Sequence, residues 1–142
     1  MRKLILSWLL AAVAIGGCVT YQNRSSTVPV YSDLELICQL VEDEYDESCG
    51  DLEPPQVILS EIVAALGAWG IYVHGEGYVF VDPFAPDVWE VTVHETIHYV
   101  LWELDLERET CPSERKAREW SEIITGVPIN PEWEKNYGCK GK

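Results

Sequence analysis

The chain has 142 residues, with ten basic against 24 acidic side chains and a net charge of -14 at pH 7. So acidic a chain is a poor electrostatic partner for nucleic acid or anionic lipid, which excludes binding that depends on many phosphate contacts. The length is enough for one hydrophobic core but not for two domains. We therefore expect one small domain and no nucleic-acid partner.

The first 17 residues have the composition of an export signal. Arg2 and Lys3 precede an apolar stretch at residues 4–15, which is shorter than the roughly 20 residues of a transmembrane helix. The stretch ends in Ile15-Gly16-Gly17-Cys18, which resembles a bacterial lipobox. This resemblance implies that Cys18 is the lipidated first residue of the mature chain.

These features predict three segments: a signal peptide at 1–17, a lipid-anchored tether at 18–30 and a domain at 31–142. The expected location is the cell envelope, with the membrane contacted through the anchor at Cys18. Secretion without an anchor and retention by an uncleaved signal are the alternatives.

Several short elements are predicted ahead of the most informative motif. Apolar spacing predicts a helix at 33–41 with Leu34, Ile37, Leu40 and Val41 facing inward, and the acidic run at 42–53 is interpreted as a solvated loop. A strand at 57–59, a short helix at 60–66 and a hairpin at 70–82 follow, the hairpin turning at Gly75-Glu76-Gly77. One hairpin strand is expected to form a sheet edge where an extended substrate adds.

Residues 94–98 read His94-Glu95-Thr96-Ile97-His98, an H-E-x-x-H motif within a helix predicted at 88–104. Asp87 with Glu90 three residues later is typical of a helix N-cap and its capping-box partner. Its apolar residues form two neighbouring stripes, one of them including Trp89, and both stripes are predicted to be buried or nearly so. Histidines four residues apart share one helix face and can bind one metal ion, while the glutamate can reach metal-bound water.

A hydrolytic zinc site needs three protein ligands and one open position, so one ligand must come from elsewhere. A second helix is predicted after Cys111-Pro112-Ser113, running to Ile124 and stopping at Gly126. Glu114 extends its inward stripe of Ala117, Trp120 and Ile124. We therefore expect Glu114 to be the third ligand, with Glu119 as the alternative and an unused surface carboxylate as the competing interpretation of each.

The two motifs together, His94-Glu95-Thr96-Ile97-His98 and Glu114-Arg115-Lys116-Ala117, resemble the zincin metallopeptidases of the gluzincin type. The resemblance covers residues 57–125 and implies an α+β domain in which a short sheet and hairpin pack on an active-site helix and a following ligand-bearing helix. It further implies Zn²⁺ bound by His94, His98 and Glu114, with Glu95 as general base and then acid. The implied activity is hydrolysis of peptide bonds in a peptide or protein substrate.

Other interpretations use the same residues. A zincin-like module that binds zinc structurally or only binds a partner would need no carboxylate between its ligands, and a cell-wall peptide hydrolase would use the same atoms on another substrate. Two histidines packed in a core remain the interpretation without a metal. Tyr99 and His74 are candidate oxyanion donors, although a packed aromatic ring and a surface histidine describe them equally simply.

Lipidation of Cys18 leaves an even set of cysteines, Cys38, Cys49, Cys111 and Cys139, which is typical of disulfides in an exported protein. Four cysteines allow three connectivities, which the sequence does not distinguish. We favour Cys38 with Cys49 and Cys111 with Cys139, because each bridge closes a local loop. The second bridge would fasten the carboxy-terminal tail to the helix that carries Glu114. A cysteine-rich zinc site competes with this interpretation, but no C-x-x-C pair occurs in the chain.

Overall fold

A computed structural model of the chain describes residues 26–27 and 33–139. Its elements are β1 (Ser26–Thr27), α1 (Leu34–Tyr45), β2 (Gln56–Leu59), α2 (Ile62–Ala65), β3 (Gly70–Val73), β4 (Tyr78–Val81), α3 (Val88–Glu103), α4 (Thr110–Thr125) and α5 (Trp133–Asn136). This arrangement confirms the predicted α+β class. The predicted signal peptide and Cys18 lie outside the described residues.

The strands form one sheet in the order β1-β2-β4-β3. β3 and β4 make the predicted antiparallel hairpin, and the glycines of its turn, Gly75 and Gly77, both have positive φ, a conformation that only glycine adopts without steric cost. β2 runs parallel to β4, whereas β1 pairs antiparallel with β2. The sequence did not predict the pairing of β1, which lies in the segment assigned to the tether. β3 is an edge strand of this sheet.

Helix α3 is the centre of the core. It packs against β3 and β4 on one side and against α4 on another, which explains why nearly all of its middle turns are buried. Asp87 caps the helix as predicted, since its side chain accepts a hydrogen bond of 3.0 Å from the backbone N–H of Glu90. The Glu90 carboxylate accepts a hydrogen bond of 3.2 Å from Ser121 on α4, so it joins the two helices.

The remaining differences from the predictions are local. Helix α1 continues to Tyr45, so part of the acidic run is helical rather than a loop, and Asp46 ends the helix in a left-handed conformation with φ 55°. Helix α4 begins at Thr110, one turn earlier than predicted. The expected burial of Trp89 is wrong: 48% of this residue is exposed, because its indole N–H reaches outward to Asp33 at 2.9 Å.

Candidate metal centre

The histidines of the H-E-x-x-H motif meet on one face of α3, as their spacing of one helical turn requires. The Nε2 atoms of His94 and His98 are 3.2 Å apart. His94 is 8% exposed and Glu95 9% exposed, so both lie within the domain rather than on its surface. Two imidazole nitrogens that approach this closely need either a shared proton or a shared cation between them.

Glu114 completes the cluster from the first turns of α4. Its Oε2 lies 3.1 Å from Nε2 of His98, and its Oε1 lies 3.5 Å from Nε2 of His94. A tetrahedral ion bound at about 2.0 to 2.1 Å separates its ligand atoms by about 3.3 Å, close to these distances. One ligand atom from each of the three residues lies within 4.8 Å of the other two. The three residues therefore fit a metal ion. Glu114, the predicted third ligand, lies beside the predicted pair, His94 and His98.

The electrostatics of the cluster agree with a bound cation. Burial lowers the pKa of His94, but contact with Glu114 and the charge of Glu95 more than offset it, and the net pKa is raised. Burial raises the pKa of Glu114, but contacts with His94 and His98 hold it well below its ordinary value. Both shifts mean that the cluster favours positive charge between the carboxylate and the imidazoles, which a divalent cation supplies.

Two neighbouring side chains hold the candidate ligands. Ser113 Oγ lies 2.7 Å from Nδ1 of His98, and a partner on this nitrogen turns Nε2 toward the cluster and fixes the ring. Nη2 of Arg118 lies 2.5 Å from Oε1 of Glu114. That oxygen is buried and makes no aligned hydrogen bond within the described residues, so its contact with Arg118 is an ion pair rather than an aligned hydrogen bond.

Glu95 lies against the edge strand β3 at a point where only glycine fits. A Cβ placed on Gly70 would lie 2.6 Å from Cγ and 2.8 Å from Oε1 of Glu95, and 2.6 Å from a methyl group of Val91. Contacts this short are steric clashes, so the absence of a side chain at Gly70 makes room for the carboxylate. The edge strand therefore borders the candidate base directly.

A cleft opens beside the cluster. A cavity of about 320 Å³ is lined by Tyr72, His98 and Glu114, and one of about 530 Å³ is lined by Trp69, His94 and Arg118. Both cavities share Gly70, Glu95 and Tyr137 in their walls, so they are two ends of one cleft across the motif. Because His94, His98 and Glu114 all line it, the cleft gives a ligand access to the cluster.

The alternative residues lie outside the cluster of candidate ligands. Glu119 is exposed and pairs with Lys116 at 3.3 Å. Tyr99 is packed in the core and donates its hydroxyl to the backbone oxygen of Glu53 at 2.6 Å. His74 is exposed and stacks on Trp102 with ring centroids 3.9 Å apart, in the wall of the cavity of about 320 Å³. None of these three side chains belongs to the cluster of candidate ligands.

The sequence missed four residues around the cluster: Gly70, Ser113, Arg118 and Tyr137. Arg118 follows Glu114 by one helical turn, so the i,i+4 spacing of opposite charges was a signal for their contact.

Tyr137 is remote in sequence, and only the packing of the carboxy-terminal segment brings it to the cleft. Burial raises its pKa, and the charge of Glu114 raises it further, so its hydroxyl remains a hydrogen-bond donor at neutral pH.

Both favoured disulfides are present, Cys38 with Cys49 and Cys111 with Cys139. The second joins the first turn of α4 to the segment that follows α5, as predicted. Disulfides are typical of proteins in oxidising compartments outside the cytoplasm. Of the helices in the described part of the chain, none has both the length and the apolar character of a membrane span.

Comparison of the chain with protein-family models, with curated proteins and with solved structures finds no match.

Proposed function

We propose that this protein is a zinc-dependent peptidase whose metal is held by His94, His98 and Glu114. The observation that carries the proposal is the convergence of their ligand atoms, separated by 3.1 to 3.5 Å, beside a carboxylate in an accessible cleft. Three protein ligands leave the fourth position of a tetrahedral site open, which is typical of catalytic rather than structural zinc.

The chemistry divides between the metal and the chain. Zinc, when bound, lowers the pKa of a coordinated water to about 7 and polarises a carbonyl oxygen. Glu95 borders the cleft without belonging to the ligand cluster, so it is free to accept a proton from the attacking water and pass it to the leaving amine. Tyr137 supplies a hydroxyl in the same cleft, where a donor would stabilise developing negative charge on the substrate.

The proposed substrate is an extended peptide, which the edge strand β3 would align. Among the described strands β3 pairs only with β4, so the backbone groups on its other side are available for an added strand. Its residues Gly70, Ile71 and Tyr72 line the cleft. A peptide added here would run past Glu95, with its backbone fixed by hydrogen bonds rather than by its side chains.

We further propose that the enzyme acts outside the cytoplasm as a lipoprotein of the cell envelope, anchored at Cys18. The support is the lipobox-like segment before Cys18 and the disulfides of the domain. The crosslinking peptides of a cell wall are a substrate class that such a location would offer to the same catalytic atoms.

The test combines metal content with activity. Elemental analysis of the purified chain should find one zinc per molecule, lost or strongly weakened in Glu114→Gln and retained in Glu119→Gln, the matched exposed carboxylate on the same helix. Glu95→Gln should retain zinc but lose about 10² to 10⁴-fold in the rate of peptide cleavage, since only the proton transfer is removed. A wild-type chain that takes up no zinc under metal-replete conditions would contradict the proposal.

A further inference from the structure

We infer that Arg118 is a positioning residue for the metal: it holds one oxygen of Glu114 so that the other is presented as the ligand. The inference rests on the proposed metal site. It concerns how this chain directs the third ligand, which comes from a different helix than the histidines.

The two carboxylate oxygens of Glu114 face different partners. Oε1 lies 2.5 Å from Nη2 of Arg118 and 3.5 Å from Nε2 of His94, whereas Oε2 lies 3.1 Å from Nε2 of His98. A carboxylate whose two oxygens are equally free binds a metal through either oxygen or both. Because Arg118 holds Oε1, Oε2 is left to enter the coordination sphere. Ligation through one oxygen preserves the open fourth position that hydrolysis requires.

Arg118 is itself held in place by the carboxy-terminal segment. The centre of its guanidinium lies 5.3 Å from the ring centroid of Trp133 and 5.5 Å from that of Tyr137, within the range of cation–π attraction. Trp133 is 6% exposed, so burial fixes the ring against which the guanidinium packs. The Nε of Arg118 is buried and lacks a hydrogen-bond partner among the described residues, which indicates that the rings and Glu114, rather than a full set of hydrogen bonds, determine its orientation.

The segment that carries both rings is covalently tied to the start of α4. The disulfide between Cys111 and Cys139 closes it next to the turn that bears Glu114. The chain of contacts therefore runs from the bridge to the aromatic rings, from the rings to Arg118, and from Arg118 to the ligand oxygen. None of these contacts is made by a side chain of the H-E-x-x-H motif.

The experiment measures zinc affinity of the full chain by competition with a chromophoric chelator. Arg118→Met, which keeps a side chain of similar length, should weaken zinc binding by about 10 to 100-fold, the range found when a partner of a metal ligand is removed. Arg118→Lys should recover part of the loss, because it keeps the charge but not the planar fork. Arg115→Met is the matched control: Arg115 pairs with Glu134 at 3.3 Å, also joining α4 to the carboxy-terminal segment, but it is outside the metal cluster.

A second readout separates positioning from general stabilisation. Cobalt(II) bound to Arg118→Met should show d–d absorption bands altered in position and intensity, while Arg115→Met should leave them as in the wild type. Loss of stability alone would not change the spectrum of the metal-bound form. This readout needs no peptide substrate.

Several outcomes would overturn the inference. Unchanged zinc affinity in Arg118→Met would show that the pair is only structural, and tighter binding would show that Arg118 competes with the metal. Equal weakening in Arg115→Met and Arg118→Met would assign the effect to docking of the carboxy-terminal segment. Failure of the wild type to bind zinc would instead overturn the proposed function, so the two failures are distinguishable.

Discussion

The two halves of the candidate metal centre are built in different ways. On α3, His94, Glu95 and His98 are fixed relative to one another by one turn of a buried helix. On α4, Glu114 reaches the site only because the helix docks on α3 and because Ser113, Arg118 and a disulfide hold its neighbourhood. The first half depends on local helix geometry and the second on tertiary structure. Perturbing the region around α4 should therefore change metal binding while leaving the motif helix intact.

Removing a disulfide should have the largest effect, and the two disulfides should differ in what their removal changes. Replacing Cys111 and Cys139 together by serine removes the closure of 28 residues, which should lower the free energy of unfolding by about 3.6 kcal/mol on the chain-entropy estimate. Replacing Cys38 and Cys49 removes a closure of 11 residues, worth about 2.8 kcal/mol. Paired replacement creates no unpaired partner thiol that could bind zinc.

Only the first of these double variants should also weaken zinc binding, because only that bridge fastens the half that carries Glu114. Denaturant unfolding gives the free energies, and a zinc titration of the folded variants gives the affinities. An equal loss of affinity in both double variants would remove the distinction between the two halves.

Zinc should stabilise the domain, because it would be bound by ligands from both α3 and α4. At a free concentration 100-fold above its dissociation constant, zinc should raise the free energy of unfolding of the wild type by about 2.7 kcal/mol. The gain should vanish both in His94→Gln, on α3, and in Glu114→Gln, on α4. Urea unfolding with and without zinc makes the measurement. A full gain in Glu114→Gln would mean that the metal needs the α3 half alone.

The same division explains what the sequence could predict. The α3 half was predictable, because two histidines and a glutamate at fixed spacing determine a geometry once the segment is helical. The inward position of Glu114 could be predicted because it extends the apolar stripe of α4. Glu119 could be excluded because it lies on another face of the same helix. The hairpin followed from its apolar strands and from the glycines at its turn, and the α+β class was implied by the resemblance that the two motifs carry.

What the sequence could not predict depends on contacts between distant segments. Nothing in the local sequence distinguishes Gly70 from any other glycine in a strand. Its role is to leave room for the side chain of Glu95, which belongs to a distant segment. Tyr137 and Trp133 are aromatic residues in a short polar segment, and only docking brings them to Arg118. Trp89 was misjudged because hydrophobicity indicated burial, whereas its indole N–H has a partner outside the core.

Gly70→Ala should displace the carboxylate of Glu95, the proposed base, without changing zinc binding. The added methyl group would lie 2.6 Å from Cγ of Glu95, so the carboxylate must move by a distance comparable to 1 Å. A displacement of that size should reduce the rate of peptide cleavage by about 10²-fold, with zinc affinity unchanged. Val73→Ala, on the same edge strand, is the control and should retain activity. Loss of zinc in Gly70→Ala would show that the strand supports the ligands as well as the base.

The smallest effect tests whether the ligand-bearing helix acts through its docking or through a specific contact. Ser113 and Ser121 are both buried on α4, and each contacts a side chain of α3, His98 at 2.7 Å and Glu90 at 3.2 Å respectively. Either change to alanine removes one hydrogen bond between the helices and should cost about 1 kcal/mol of stability. Only Ser113→Ala leaves a candidate ligand without the partner on its second nitrogen, so it alone should weaken zinc binding, by about 10-fold. Equal zinc affinities in the two variants would mean that helix docking, and not the orientation of His98, is what Ser113 contributes.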